Sequence, residues 1–204
     1  MVLISKSGAK KLIKELFSRA DPSQHKFKSD FLRHSEATYG IAKETAIEII
    51  NNNPELKMDP GEVAIAGYLH DIGRLLSVNQ SLHEIRGALY LKKKGFERLS
   101  RMIISHFIVY EEFLDENYPG REEFSNINAS LLLPKSIEQQ IIVYSDLSNL
   151  EGRKINFRER LKYIENRQKN NPQFLRAFER GKPRIIKVCT EIEELVKQTP
   201  RSTT

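Results

Sequence analysis

Apolar residues recur every three or four positions along most of the chain, the spacing of one face of an α-helix. Leu12, Ile13, Leu16 and Phe17 predict a short first helix over Lys10–Arg19, broken at Asp21-Pro22. A stripe of Phe27, Phe31, His34, Thr38, Ile41, Ala42 and Ile49 predicts a long helix from about Lys26 to Asn52, stopped by the Asn51–Pro54 run. Asp59 and Pro60 read as the N-cap and first residue of a third helix, which carries Val63, Ala66, Leu69 and His70 and should stop at Gly73. Further helices are predicted from Ser81 to Gly95, over Glu97–Phe107, from Pro134 to Leu150, and over Phe157–Lys169, Pro172–Gly181 and Pro183–Gln198, with Pro200–Thr204 as a frayed end. Residues Ile108–Leu133 hold no sustained period; a connection of that length is read either as a lid or binding loop or as disorder. No run alternates convincingly as a strand does, so the expected fold is all-α, a helical bundle with additional C-terminal helices.

The 204 residues suit a single domain, divided here into an N-terminal helix and linker (1–25), a central domain (26–150) and a C-terminal helical extension packed on it (151–204). No apolar run is long enough to span a membrane, and the first ten residues lack the apolar run of a secretory leader. Cys189 is the only cysteine, which excludes an intrachain disulfide. A cytoplasmic location is the resulting expectation. Net charge is +6 and uneven: residues 151–204 hold 14 Lys and Arg against 7 Asp and Glu. A basic end of this kind suits an anionic substrate or nucleic acid, or is a solvated helical face; the interleaved signs around Arg158–Arg167 favour the solvated face.

Four of the five histidines stand in informative places. His34 lies in the apolar stripe of its helix, so it points toward the other helices. His70 and Asp71 end a helix that is otherwise apolar on its buried side. Asp146 falls among Ile141, Ile142, Val143, Leu147 and Leu150, where a carboxylate needs a cation or a paired base. His106 follows Met102 and Ile103. Each alone has a plain explanation, such as a hydrogen-bonded core histidine or an aspartate paired with arginine. Together they place imidazoles and carboxylates on separate helices, a donor set suited to a divalent first-row metal. His25 stands in a polar segment and is read as exposed and uninvolved.

The ordered set His34, His70-Asp71, Asp146, with its flanking runs Leu69-His70-Asp71-Ile72-Gly73-Arg74 and Tyr144-Ser145-Asp146-Leu147, resembles the HD superfamily of metal-dependent phosphohydrolases over residues 27–150. The resemblance implies an α-helical fold in which His34, His70, Asp71 and Asp146 bind a divalent metal ion (Mn, Fe, Zn, Mg, Co or Ni). In binuclear branches, additional histidines between the doublet and the last aspartate hold a second ion and the doublet's aspartate bridges the two. His83, in His83-Glu84-Ile85-Arg86-Gly87-Ala88, and His106 match those positions. His83 read from the sequence alone is equally a cap for the helix begun at Ser81. The stretch is similar to the phosphohydrolases that split dinucleoside tetraphosphates, although the segment after His106 lacks their polar residues.

The implied activity is hydrolysis of a phosphate ester or anhydride, most readily in a nucleotide, with Asp71 anchoring the attacking water and no Ser or Cys nucleophile. The resemblance also places Arg74 to grip phosphate, one turn beyond His70, unless it is a surface arginine answering a helix C-terminus. Arg86 is a weaker substrate contact, and Lys92–Lys94 are expected in water. The alternative is a catalytically silent module whose basic C-terminal region docks nucleic acid or an acidic partner. A small phosphorylated substrate is the expected partner. The amphipathic C-terminal helices would allow a homo-oligomer.

Overall fold

Helix α2, Lys28–Asn52, is the spine against which most of the chain assembles. The computed structural model describes residues 4–198, so the expected frayed end at Pro200–Thr204 and the first three residues lie outside it. Helix α1 (Lys6–Phe17) starts at Ser5, whose side chain accepts from the Gly8 amide, and buries Leu12, Ile13, Leu16 and Phe17. Helix α3 (Pro60–Leu69) is capped by Asp59, which accepts from the Gly61 and Glu62 amides, and lies along α2. Then come α4 (His83–Lys93), α5 (Glu97–Ile103), α6 (Val109–Leu114) and α7 (Ile137–Leu147). Helix α7 opens with a capping box between Ser136 and Gln139 and packs on α2 and α3. Helix α8 (Phe157–Arg167) and helix α9 (Pro172–Lys197) follow, and α9 packs against α7, α2 and α6. The fold is all-α apart from one two-residue hairpin, and among the described residues no helix is long and apolar enough to cross a membrane.

Several sequence-based expectations change. The expected pair of helices around Pro183 is one unbroken helix, α9. Proline removes one intrahelical hydrogen bond and costs about 3 kcal/mol in a helix interior. The buried stripe Ala177, Phe178, Gly181, Ile185, Val188, Cys189 and Ile192 runs across it in one phase and offsets that cost. Residues 108–133, expected to be a loop or disordered, contain α6 and two 3-10 turns, Arg121–Phe124 and Ala129–Leu132, anchored by buried Phe113, Tyr118, Phe124 and Leu132. The segment is short of helical period because its apolar anchors are spaced to pin turns.

The stripe of α2 does not begin at Phe27, which ends a 3-10 turn (Pro22–Phe27) and is 56% exposed. Helix α5 stops at Ile103, not Phe107, and α7 stops at Leu147, giving way to strands β1 (Asn149–Leu150) and β2 (Arg153–Lys154). The connecting residues Glu151 and Gly152 both have positive φ, 52° and 85°, as a tight two-residue hairpin turn requires. Strands this short leave no alternating pattern to read.

One close approach positions the site. A Cβ on Gly73 would lie 1.8 Å from the His83 carbonyl oxygen and 2.7 Å from the Gly87 nitrogen, so the turn after α3 and the start of α4 touch backbone to backbone. Gly73→Ala should therefore destabilise the chain by about 3 kcal/mol or more, as overpacking against backbone does. Gly40→Ala, where an added Cβ meets nothing within 4 Å in mid-helix, should stabilise by roughly 0.5–1 kcal/mol. Urea denaturation of the two variants measures both.

Candidate metal centre

Six side chains converge where α2, α3, α4 and α7 meet. His34 projects from the inner face of α2, and Asp146 from the last turn of α7. His70 closes α3, and Asp71 begins the 3-10 turn Ile72–Leu75. His83 is the first residue of α4, set there by Leu82 in the left-handed conformation (φ 51°). It does not cap a helix begun at Ser81. His106 lies in the turn after α5, just before Phe107 (φ 52°).

His34 Nε2 is 3.1 Å from His70 Nε2 and 3.1 Å from Asp146 Oδ1. His70 Nε2 is 3.6 Å from that oxygen and 3.7 Å from Asp71 Oδ1. On the other side, His83 Nε2 is 2.8 Å and His106 Nε2 3.7 Å from Asp71 Oδ1. Three overlapping groups, His34-His70-Asp71, His70-His106-Asp146 and Asp71-His83-His106, each bring one donor atom per residue within 4.8 Å of the others. Asp71 belongs to groups on both sides.

Three of the four imidazoles are held in the sense a metal needs. The Nδ1 atoms of His70, His83 and His106 lie 2.8, 3.1 and 2.9 Å from the carbonyl oxygens of Gly67, Gln80 and Ile103, each three residues earlier. Donation from Nδ1 leaves the Nε2 lone pair facing the cluster. His34 is held differently: the Asn149 amide, on β1, lies 3.0 Å from its Nδ1 and donates to its carbonyl oxygen at 2.9 Å. Four imidazole nitrogens and two carboxylates converging at these distances, three of the imidazoles with Nε2 turned to the cluster in this way, fit a divalent first-row ion.

Without an ion the charges answer one another. Burial opposes the charged form of Asp71, but the charges of Arg74 and His70 outweigh it and hold the carboxyl well below its ordinary range. Burial also opposes ionisation of Asp146, and hydrogen bonds from His34 and His70 hold it well below as well. For His70 burial is overcome by the charges of Asp71 and Asp146, which push it up to about 9. His83 goes the other way, down to about 3, through burial and the Arg74 charge. It is therefore neutral and able to act as a ligand near pH 7.

Arg74 Nε donates to Asp71 Oδ2 at 2.8 Å while its side chain stays 40% exposed. Arg86 is engaged elsewhere, donating to the Asn79 and Ser81 carbonyls and pairing with Glu123 at 3.1 Å. His25 and Lys92–Lys94 are exposed, as expected. Sequence reasoning missed Glu84, Glu112, Tyr118 and Asn149. Glu84 is buried beside His106, its Oε1 3.9 Å from Nε2, and its Oε2 has no hydrogen-bond partner. Tyr118 donates to buried Glu112. Burial pushes both Glu84 and Glu112 up to about 7. Glu84 stands beside His83 in sequence, but a charged residue on a helix face gives no sign of burial. Glu112 and Tyr118 lay in the segment read as irregular.

A family model described as HD domain matches residues 31–148, from the start of α2 through α7. No curated protein and no solved structure matches the chain.

The raised His70 has a consequence for the metal-free chain. Folded His70 keeps its proton up to about pH 9, whereas the unfolded residue loses it near 6.5. The folded state binds the extra proton between those values, so this contribution to stability is complete below 6.5 and is lost as pH rises through 9. Urea denaturation in EDTA should show stability falling between pH 7 and 9, and His70→Gln should flatten that limb.

Proposed function

The chain belongs to the HD domain family, and on that premise we propose that it hydrolyses a phosphate ester or anhydride, a nucleotide being the favoured substrate, with a water activated at the centre formed by His34, His70, Asp71, His83, His106 and Asp146. The superfamily is one of metal-dependent phosphohydrolases, and the chain carries His and Asp groups compatible with a divalent metal. The observation that carries the proposal is the position of Asp71. Its carboxylate lies within 3.9 Å of ring nitrogens of His34, His70, His83 and His106 alike.

In this reading His34, His70, Asp71 and Asp146 hold one ion, and Asp71, His83 and His106 hold a second. A divalent ion so placed lowers the pKa of a coordinated water and offsets charge developing on phosphoryl oxygens. The chain's own residues do the remaining work. Asp71, within reach of the histidines on both sides, would contribute to both positions. The backbone carbonyls of Gly67, Gln80 and Ile103 keep three imidazoles in the donating tautomer. Arg74, held by Asp71 through Nε, offers the rest of its half-exposed guanidinium to a phosphoryl oxygen. Cys189 is fully buried on α9 with its thiol pushed up by burial, and it takes no part.

The silent binding module draws less support, because the set of metal donors is intact and several basic side chains of the C-terminal region are already paired. Arg158 meets Glu193, Lys182 meets Glu165, Lys154 meets Glu44 and Arg184 meets Glu111.

Protein stripped with chelator should be inactive against a panel of nucleoside mono-, di- and triphosphates and dinucleotides. Adding back Mn²⁺, Co²⁺ or Zn²⁺ should restore phosphate release. Asp71→Asn should lower kcat by at least about 10³-fold with the helical circular dichroism retained. Turnover unaffected by that substitution would overturn the assignment. Arg74→Met should lower kcat/KM by about 10–10²-fold, the worth of a hydrogen bond to a charged group.

A further inference from the structure

His106 lies in a turn, outside any regular helix. It sits between the end of α5 at Ile103 and the start of α6 at Val109, and its ring is 2% exposed. The next residue, Phe107, has φ 52°. A side chain in the left-handed region costs about 1–2 kcal/mol and persists only where the surroundings enforce it. What enforces it here comes from the far end of the chain. Arg184, on α9, donates through Nη2 to the Phe107 carbonyl oxygen at 2.8 Å. The same guanidinium forks onto Glu111 of α6, Nε to Oε1 at 2.9 Å and Nη2 to Oε2 at 2.7 Å. Arg180 adds a longer contact to the Glu111 carbonyl at 3.4 Å. The Phe107 ring packs against Phe174 and Phe178, with centroids 6.2 and 6.0 Å away. Gly181 lets the two segments close: a Cβ there would stand 2.8 Å from Glu111 Oε2 and 3.0 Å from Ile108 Cγ2.

We propose that Arg184 is a positioning residue for the His83–His106 half of the centre, fixing the Phe107–Glu111 turn so that His106 Nε2 is presented beside Asp71 and this half can load a divalent ion. The proposal rests on the reading of that half as a metal position. The other half depends on α2, α3 and α7, which Arg184 does not touch through any hydrogen bond among the described residues. Losing Arg184 should therefore separate the two positions. A lysine retains the charge opposite Glu111 but cannot fork onto the carboxylate while also holding the Phe107 carbonyl.

The test is a Mn²⁺ titration of the metal-stripped full chain, followed by calorimetry and by elemental analysis after desalting. It compares the unsubstituted protein with His106→Ala, Arg184→Met, Arg184→Lys and Glu111→Gln. The unsubstituted chain should take two equivalents and His106→Ala one. Arg184→Met should keep the first equivalent at its original affinity and bind the second about 10–100-fold more weakly, the usual cost of removing a group that orients a ligand. Arg184→Lys should fall between the two. Glu111→Gln keeps the shape of the pair and should weaken the same step if Arg184→Met fails to fold, as read by helical circular dichroism. If the unsubstituted chain takes two equivalents and His106→Ala one, but folded Arg184→Met or Glu111→Gln takes two at full affinity, the positioning role is overturned while the two-ion reading stands. Equal weakening of both equivalents also overturns it, since the support would then be general. If the unsubstituted chain takes a single equivalent that His106→Ala leaves unchanged, the two-ion reading fails first and takes the proposal with it.

Discussion

The fold is arranged around one buried carboxylate. Asp71 is 8% exposed, and a charge withdrawn from water to that degree costs several kcal/mol unless cations or donors surround it. The chain meets the demand from every direction: Arg74 one turn on, His83 at the head of α4, His70 at the end of α3, His34 from α2 and His106 from the turn after α5. Asp146 then brings a second negative charge toward His34 and His70, so the two acids and the shared imidazoles hold each other's protonation in place. Helix packing supplies the positions and the Asp71 charge makes them mutually necessary. Removing one partner leaves the others facing an uncompensated charge in a poorly polarisable interior.

Helical period made much of this legible from sequence. His34 reads inward because Phe31, Thr38 and Ile41 share its face, and Asp146 reads as costly because its neighbours are apolar. Both stand in the cluster, and the family match spans all six of its residues. His106 read as buried from its place after Met102 and Ile103, but its pairing with His83 came only by resemblance, because each sits where the backbone turns. The unbroken α9 was misread for a physical reason: a proline weakens a helix locally, while the stripe from Phe178 to Ile192 is a property of the whole element. Arg184 and Asn149 were not legible at all. An arginine in a basic helix and an asparagine near a turn look like solvated residues until their distant partners are known, and Phe107 and His34 lie far away in sequence.

The two sides of the cluster are supported by different means. His34, His70 and Asp146 hang on α2, α3 and α7, three helices packed directly on one another. His83 depends on a backbone crossing with no room for a methyl group at Gly73, and His106 depends on a left-handed turn. Interdigitated helix faces tolerate small volume changes by repacking, whereas a backbone contact or a positive φ does not. Substitutions of similar size should thus be felt unequally on the two sides, and the sensitive positions include glycines and turn residues that bear no chemistry themselves.

The clasp between Arg184 and Phe107 also sets an order of events during synthesis. All six residues of the cluster have been translated once the ribosome passes Asp146, but Arg184 comes about 40 residues later, roughly 2–8 s at ordinary elongation rates. Until α9 is complete and docked, the turn carrying His106 lacks its clasp, while α2, α3 and α7 already have one another to pack on. The cluster would thus mature in two stages, one face set by helices packed on one another and the other sealed only when the C-terminal helix docks.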